Sequence, residues 1–370
     1  MRIGVPTEIK SNEFRVGLVP GSVRELKARG HEVIVQSGAG AGIFADDATY
    51  EAAGARIVPT AEAVFAEADM IVKVKEPQAV EYRRLSPHQI LFTYLHLAPD
   101  AEQARGLMAS GATAIAYETV TDAQGGLPLL APMSEVAGRL SIEAAALALR
   151  RHTGGRGVLM GGVPGVRPAK VVVLGGGVVG THAARMAAGL GAEVSIIDRS
   201  LPRLRQLDEL FHGRVRTLAS TLDTIETEVL SADVVVGAVL VPGASAPKLV
   251  TREMLPAMKR GAVLVDVSID QGGCFATSRP TTHAEPTFEV DGIVHYCVAN
   301  MPGCVPVTSA QALNNATLPF VVALADQGLS AIARNPHLAA GVNVSDGRIV
   351  HPAVAASLGF DGSKPAQAAA

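Results

Sequence analysis

Between Lys170 and Gly191 a run of strand-forming residues, Lys-Val-Val-Val-Leu, feeds Gly175-Gly176-Gly177-Val178-Val179-Gly180, and the small residues that follow read as a helix. A second strand pattern, 193–197, comes next and ends on the acid Asp198. Strand, turn, helix and strand in this order confine the segment to a βαβ unit built on a parallel sheet. Each glycine has a separate duty. Gly175 makes the tight turn, Gly177 lets the backbone approach a pyrophosphate, and Gly180 lets the helix pack closely on the strand. The helix N-terminus, at Val178 and Val179, presents unpaired N–H groups to phosphates. Asp198 is placed to accept hydrogen bonds from the adenosine ribose hydroxyls, and its charge disfavours a 2′-phosphate, which points to NAD over NADP. In a chain with 38 glycines the glycine pattern alone means little. Its ordered context carries the reading.

The chain has 370 residues, of which 48% are hydrophobic and 18% charged. That length suggests roughly two to three domains at about 150 residues each, with ample apolar material for their cores. A net charge of −3 gives no electrostatic footprint for nucleic acid or an anionic membrane. The N-terminus runs straight into a strand without the apolar core of a signal peptide, and no apolar stretch approaches the ~18 residues of a membrane span. Cys274, Cys297 and Cys304 form no C-x-x-C pair and read as reduced thiols serving as small buried hydrophobes. The expected setting is soluble and cytoplasmic.

Short apolar strands alternate with helical segments over the first ~130 residues, an α/β layer signature. Strands are expected at 2–5, 32–36, 70–74, 90–95 and 113–117, and helices at 22–29, 61–68 and 100–110. Gly30 and Gly111 follow two of these helices at the positions where a C-cap glycine belongs. The pattern breaks at 124–128, where a domain boundary is expected. One long helix is predicted over 134–151 with Ser134 as its N-cap, followed by a glycine-rich connector. Further strands are expected at 233–240, 262–268 and 295–299, with 254–259 filling a crossover. A second long helical pattern, 309–327, is interrupted near Pro319 and could return the chain to the first domain. Ser345-Asp346-Gly347 marks a hairpin, and the alanine-rich tail from Gly362 reads as frayed.

In an open α/β sheet, ligands bind beyond the carboxyl ends of the strands. Those ends carry Lys75-Glu76-Pro77, His96, Asp270 and Asn300-Met301-Pro302-Gly303, while the first strand leads to a loop bearing Arg15. Each has an ordinary alternative. Lys73 and Lys75, on one face of a strand, could be solvated lysines; His96 a core histidine; Asp270 a turn residue; Arg15 a surface cation. Together they form a plausible site for a small carboxylate beside a nicotinamide, with cations to hold the carboxylate and a histidine to exchange protons.

Nearly end to end, the chain resembles the L-alanine dehydrogenase family. The resemblance rests on Gly4-Val5-Pro6-Thr7-Glu8-Ile9-Lys10 through Arg15-Val16, Ser37-Gly38-Ala39-Gly40, Lys73-Val74-Lys75-Glu76-Pro77, Tyr94-Leu95-His96-Leu97 and Pro132-Met133-Ser134-Glu135. The later runs from Asp266 to Gly273 and from Val298 to Gly303 complete it. It implies that Arg15 and Lys75 bind the carboxylate and carbonyl of pyruvate or alanine, with His96 and Asp270 catalytic. It also implies cofactor contacts from Ser134, the glycine turn, Asp198, Arg203, Ser220, Val239, Leu240, Val267, Ser268, Ile269, Asp270, Arg279, Val298, Ala299, Asn300 and Met301.

The implied fold is α/β, with two Rossmann-like domains on parallel sheets, a cleft between them, and long helices joining them. Residues 1–128 with 307–370 would form the substrate domain, and 129–306 the NAD domain. The implied reaction is reversible, NAD-dependent oxidative deamination of L-alanine to pyruvate and ammonium by a homohexamer, with no metal. His182, Cys304 and Val307 depart from the family pattern without touching these roles. A transhydrogenase NAD-binding subunit is the nearest rival, but that family differs at the positions of Lys75 and His96. A non-catalytic NAD sensor, or a shift of substrate to glyoxylate or 2-aminobutyrate, would use the same folds.

Overall fold

The computed structural model describes residues 1–239 and 246–359. The expected strand end at Leu240 and the tail from Gly362 lie outside the described residues. The chain forms two compact units, Met1–Met133 with the described residues from Gly303 on, and Ser134–Pro302.

In the first unit β1 (Arg2–Val5), β2 (Glu32–Gln36), β3 (Arg56–Val58), β4 (Met70–Val72), β5 (Ile90–Thr93) and β6 (Thr113–Ala116) run parallel in the order β6-β5-β4-β1-β2-β3. Every residue of β4, β5 and β6 is buried, as a parallel sheet covered on both faces requires. Ile34, Ile71, Leu91 and Ala114 share one apolar cluster with Val64, Phe65, Ala104 and Leu107 from the covering helices.

The second unit carries β7 (Lys170–Leu174), β8 (Glu193–Asp198), β9 (Arg216–Ala219), β10 (Val234–Gly237), β11 (Val263–Asp266), β12 (Thr287–Val290) and β13 (Ile293–Tyr296), in the order β12-β13-β11-β10-β7-β8-β9. Only β12 is antiparallel to its neighbour. Alternate residues serve opposite cores. Val171, Val173, Val234, Val236, Val263 and Val265 pack with Ala183, Ala184 and Ala187, whereas Val172, Leu174, Val235 and Leu264 pack with Ile225, Val229 and Leu255. That is the period-two projection of a strand. The alanines bring the helix Val178–Gly189 close to the sheet.

The chain then returns to the first sheet. β14 (Val342–Ser345) pairs antiparallel with β6, and β15 (Arg348–Ile349) closes the hairpin. Asp346 and Gly347, at φ 50° and 69°, occupy the left-handed positions that a two-residue hairpin needs.

Several elements differ from expectation. The first long helix spans Ala131–Ala148, so Ser134 lies within its first turns and is not an N-cap. The start falls earlier because Pro132 fits the opening turn, where its missing N–H has no helical partner anyway. The helix Pro306–Gln327 runs unbroken through Pro319. The cost of an internal proline is offset by burial of Ala310, Leu313, Val321 and Leu324 along the helix. Its Asn314 accepts from Val19 N at 3.0 Å and donates to Gly17 O at 3.2 Å, anchoring the segment after Arg15. The crossover at 254–259 is a 3₁₀ segment, Arg252–Ala257, with Pro256 inside it. The glycine-rich connector is pinned, with Gly157 N donating to Leu149 O and Arg156 N to Gly261 O. Cys274 and Cys297 are buried and Cys304 is exposed, all three as free thiols. Among the described residues no helix is long and apolar enough to cross a membrane.

Candidate active site

β4 and β5 stop at Val72 and Thr93, and the loops beyond their carboxyl ends carry Lys75 and His96. Both side chains converge on Glu76, whose Oε2 lies 3.5 Å from His96 Nδ1 and 4.0 Å from Lys75 Nζ. Lys10 donates to the other oxygen. Burial alone would raise the Glu76 pKa, but the His96 contact, Lys75 and Lys10 overrule it and hold the carboxyl well below the usual range. Glu76 is therefore an anion at the centre of three cationic or ionisable groups.

His96 stands at φ 48°, a left-handed conformation uncommon outside glycine. The Glu118 carboxylate stabilises it by accepting from His96 N at 2.6 Å and Leu95 N at 3.1 Å. The imidazole remains 42% exposed. Beside it, the Tyr94 ring sits 5.7 Å away and its hydroxyl donates to Leu129 O.

Arg15 is buried, not a surface cation. Its guanidinium meets the Glu13 carboxylate through Nε at 2.7 Å and Nη2 at 2.5 Å, and Nη1 points to Met133 Sδ at 2.9 Å. Charge-assisted, fork-like pairing of this kind fixes the plane of the guanidinium. Lys73 and Lys75 both lie beyond the end of β4, and Lys73 is wholly buried between Glu8 and Glu81.

In the second unit the glycine turn follows β7 at the point where strand order reverses, between β10 and β8. Gly175 has φ 104°, and a Cβ there would lie 2.5 Å from Ala238 O. A Cβ on Gly180 would fall 1.8 Å from Gly175 O, whereas one on Gly177 would meet nothing within 4 Å. The turn is thus tight on its inner side and open at the helix N-terminus. Gly176 N and Ser200 N donate to the Asp198 carboxylate at 2.7 and 2.8 Å. Arg203 braces the turn through Gly176 O at 2.6 Å and Thr181 Oγ1 at 2.8 Å.

Other candidates lie at neighbouring strand ends of the same sheet. Ser220 N donates to Asp198 O, and Ser268 Oγ donates to Val239 O at 2.7 Å. Asp270, exposed, sits on the 3₁₀ segment Val267–Gln271. Beneath it the buried Asp266 carboxylate accepts from Ser278 Oγ at 2.5 Å and Cys274 N at 2.9 Å. Past β13, Ala299 N donates to Thr281 O, and Asn300 adopts φ 56° before Met301 opens a 3₁₀ turn. Arg279 lies 4.1 Å over the Phe288 ring, a cation–π stack. Among the sequence candidates, then, Lys75 and His96 meet on one carboxylate. Glu13, Glu76, Glu118, Glu8 with Lys73, and Asp266 had no assigned role. Glu118 follows β6 directly, so reading every strand end would have found it.

Two profiles of one family match the chain, the N-terminal domain of "Alanine dehydrogenase/PNT" over residues 4–137 and its C-terminal domain over 141–352. The chain belongs to the alanine dehydrogenase/PNT family. Within that family it is 60% identical to the alanine dehydrogenase of Halomonas elongata, with 98% of each chain covered. A solved L-alanine dehydrogenase is 55% identical, with a TM-score of 0.94 over 97% of this chain and 99% of that one. A transhydrogenase from Sinorhizobium meliloti is more distant, at 27% identity and a TM-score of 0.81 over 95% of this chain and all, 100%, of that one.

Proposed function

We propose that the chain catalyses the reversible oxidative deamination of L-alanine to pyruvate and ammonium, with NAD as hydride acceptor. Beside the family membership, the observation that supports it most is the convergence of Lys75 and His96 on Glu76 within 4.0 Å. The second unit fits a dinucleotide. Open space at Gly177, the helix N-terminus behind it and the acid at the end of β8 suit a pyrophosphate and a ribose without a 2′-phosphate. Gly175, Gly177, Gly180, Asp198, Ser220 and the segments 267–270 and 298–301 would hold it. When bound, the nicotinamide supplies the acceptor for the hydride of the substrate α-carbon.

Arg15 and Lys75 bind the substrate carboxylate and orient the α-carbon, replacing a random encounter with a near-attack geometry. With Nδ1 turned toward Glu76, Nε2 is the His96 atom that exchanges protons with the substrate nitrogen and oxygen. Loss of hydride leaves an iminium; water adds to give a carbinolamine, whose collapse releases pyruvate and ammonia. Asp270 steadies the positive charge of the iminium and assists the attacking water. We further take the assembly to be a homohexamer, for which light scattering should give six times the 38.1 kDa chain mass.

The deciding experiment is NADH oxidation by the purified protein with pyruvate and ammonium, with NADPH and glyoxylate as comparison arms. Turnover that requires ammonium and favours NADH over NADPH is the expected result. NADH binding without turnover would overturn the dehydrogenase reading and favour a transhydrogenase-like role.

A further inference from the structure

The sheet ends oddly beside Lys75. On the β5 side the ladder continues past β4, with Lys73 N donating to Phe92 O at 3.2 Å and Tyr94 N to Val74 O at 3.2 Å. On the β1 side the strand pairing ends, because β1 stops at Val5, before Pro6. A side chain takes its place. Glu8 accepts from Val74 N at 2.6 Å, the donor that faces the side a longer β1 would have occupied, and from Lys75 N at 3.4 Å. The remaining carbonyls are held too, Lys73 O by the Tyr117 hydroxyl at 3.0 Å and Lys75 O by Thr93 Oγ1 at 2.9 Å.

Lys73 anchors this arrangement from below. Its ammonium, fully buried, lies 3.1 Å from Glu8 and 2.7 Å from Glu81. Such a buried ionic cluster is weak evidence for stability, since apolar residues of similar volume often fold as well or better. A local purpose is the more economical explanation. Lys73 favours the ionised form of Glu8, in which both oxygens are free to accept without one of them carrying a proton. Burial pushes the Glu8 pKa up on balance, and Lys73 with the Val74 N–H offsets only part of that rise.

We propose that Glu8, backed by Lys73, is a positioning residue for Lys75, a side-chain substitute for a missing strand that holds the lysine loop in its substrate-binding shape. The proposal rests on the reading that Lys75 binds the substrate. Its effect should be large for a residue that touches no substrate, because a displacement of about 1 Å at a binding group can cost on the order of a hundredfold in rate.

Glu8→Gln keeps the volume but turns an amide N–H₂ toward Lys73 or the loop N–H groups. The expected result is a pyruvate KM raised about tenfold or more, with the NADH dissociation constant unchanged. In a Lys75→Ala background the same substitution should cause no further loss of kcat/KM, because Glu8 acts through Lys75. Should Glu8→Gln fail to fold, Thr93→Val removes only the hydroxyl on Lys75 O and should show the same pattern with a smaller rise. An unchanged KM in the folded variant, or equal losses with and without Lys75, overturns the proposal. The two readings fail separately. Unimpaired pyruvate use by Lys75→Ala would remove the substrate role itself, whereas an impaired Lys75→Ala beside an unimpaired Glu8→Gln would remove only the clamp.

Discussion

Lys73 and Lys75 show how far burial decides what a charged residue does. Two positions apart, one ammonium is enclosed between two carboxylates and the other faces the histidine loop through a shared carboxylate. Burial also sets the behaviour of His295, which is fully enclosed, stacked on Phe288 at 4.9 Å and hydrogen-bonded to the Thr277 hydroxyl at 2.7 Å. Desolvation lowers its pKa. In the unfolded chain the same group takes up a proton near the ordinary value of about 6.5. Below that pH the unfolded state binds more protons than the folded one, so stability present above it is lost as pH falls toward the folded value. The melting temperature should therefore drop between about pH 7.5 and about pH 5.5, and the drop should be smaller in His295→Gln. Differential scanning fluorimetry at both pH values checks this; equal drops would discount His295. Single residues were the least legible part of the sequence. The burial of Arg15 and Lys73 was not legible, because it depends on partners such as Glu13, Glu8 and Glu81, which periodicity cannot assign.

At the scale of elements, the glycine turn separates two effects that a sequence motif merges. Gly180 is a packing position, since a Cβ there would lie 1.8 Å from Gly175 O. Gly177 is not a packing position, since a Cβ would meet no protein atom within 4 Å, and in the function proposed above it faces the pyrophosphate. Gly180→Ala should lower the melting temperature and weaken NADH binding together, with a stability loss of about 1–3 kcal/mol for overpacking. Gly177→Ala should melt at the wild-type temperature yet bind NADH at least about tenfold more weakly, because the methyl would crowd the pyrophosphate. Thermal melts paired with NADH fluorescence titrations test both; tight NADH binding by Gly177→Ala would remove the phosphate from that turn. The turn was readable because its glycines, strand and acid are contiguous. Helix limits were less so. Ser134 looked like a cap, yet Pro132 had already started the helix, and Pro319 looked like a break, yet the burial of Val321 and Leu324 keeps the helix whole.

At the scale of the molecule, the candidate residues divide between the two units. Arg15, Lys75 and His96 belong to the first, and Asp270 with the dinucleotide turn to the second. β14 and β15, which restore the chain to the first sheet, were legible from one turn signal, whereas their register against β6 is a long-range fact that no local pattern encodes. The division has a kinetic consequence. His96→Ala leaves the second unit untouched and should bind NADH normally while losing turnover by about 10²–10⁴-fold, the usual range for a general acid–base group. Asp270→Asn should lose turnover over a similar range, as a neutral amide can neither offset an iminium charge nor accept a proton from water. If the two residues serve one proton-transfer sequence, their losses will not multiply, because residues that act as a unit are strongly non-additive. The double variant should then be about as slow as the slower single variant, measured as kcat for pyruvate amination at saturating NADH. Multiplying losses would assign His96 and Asp270 to independent steps, with Asp270 acting on charge alone and His96 carrying the protons.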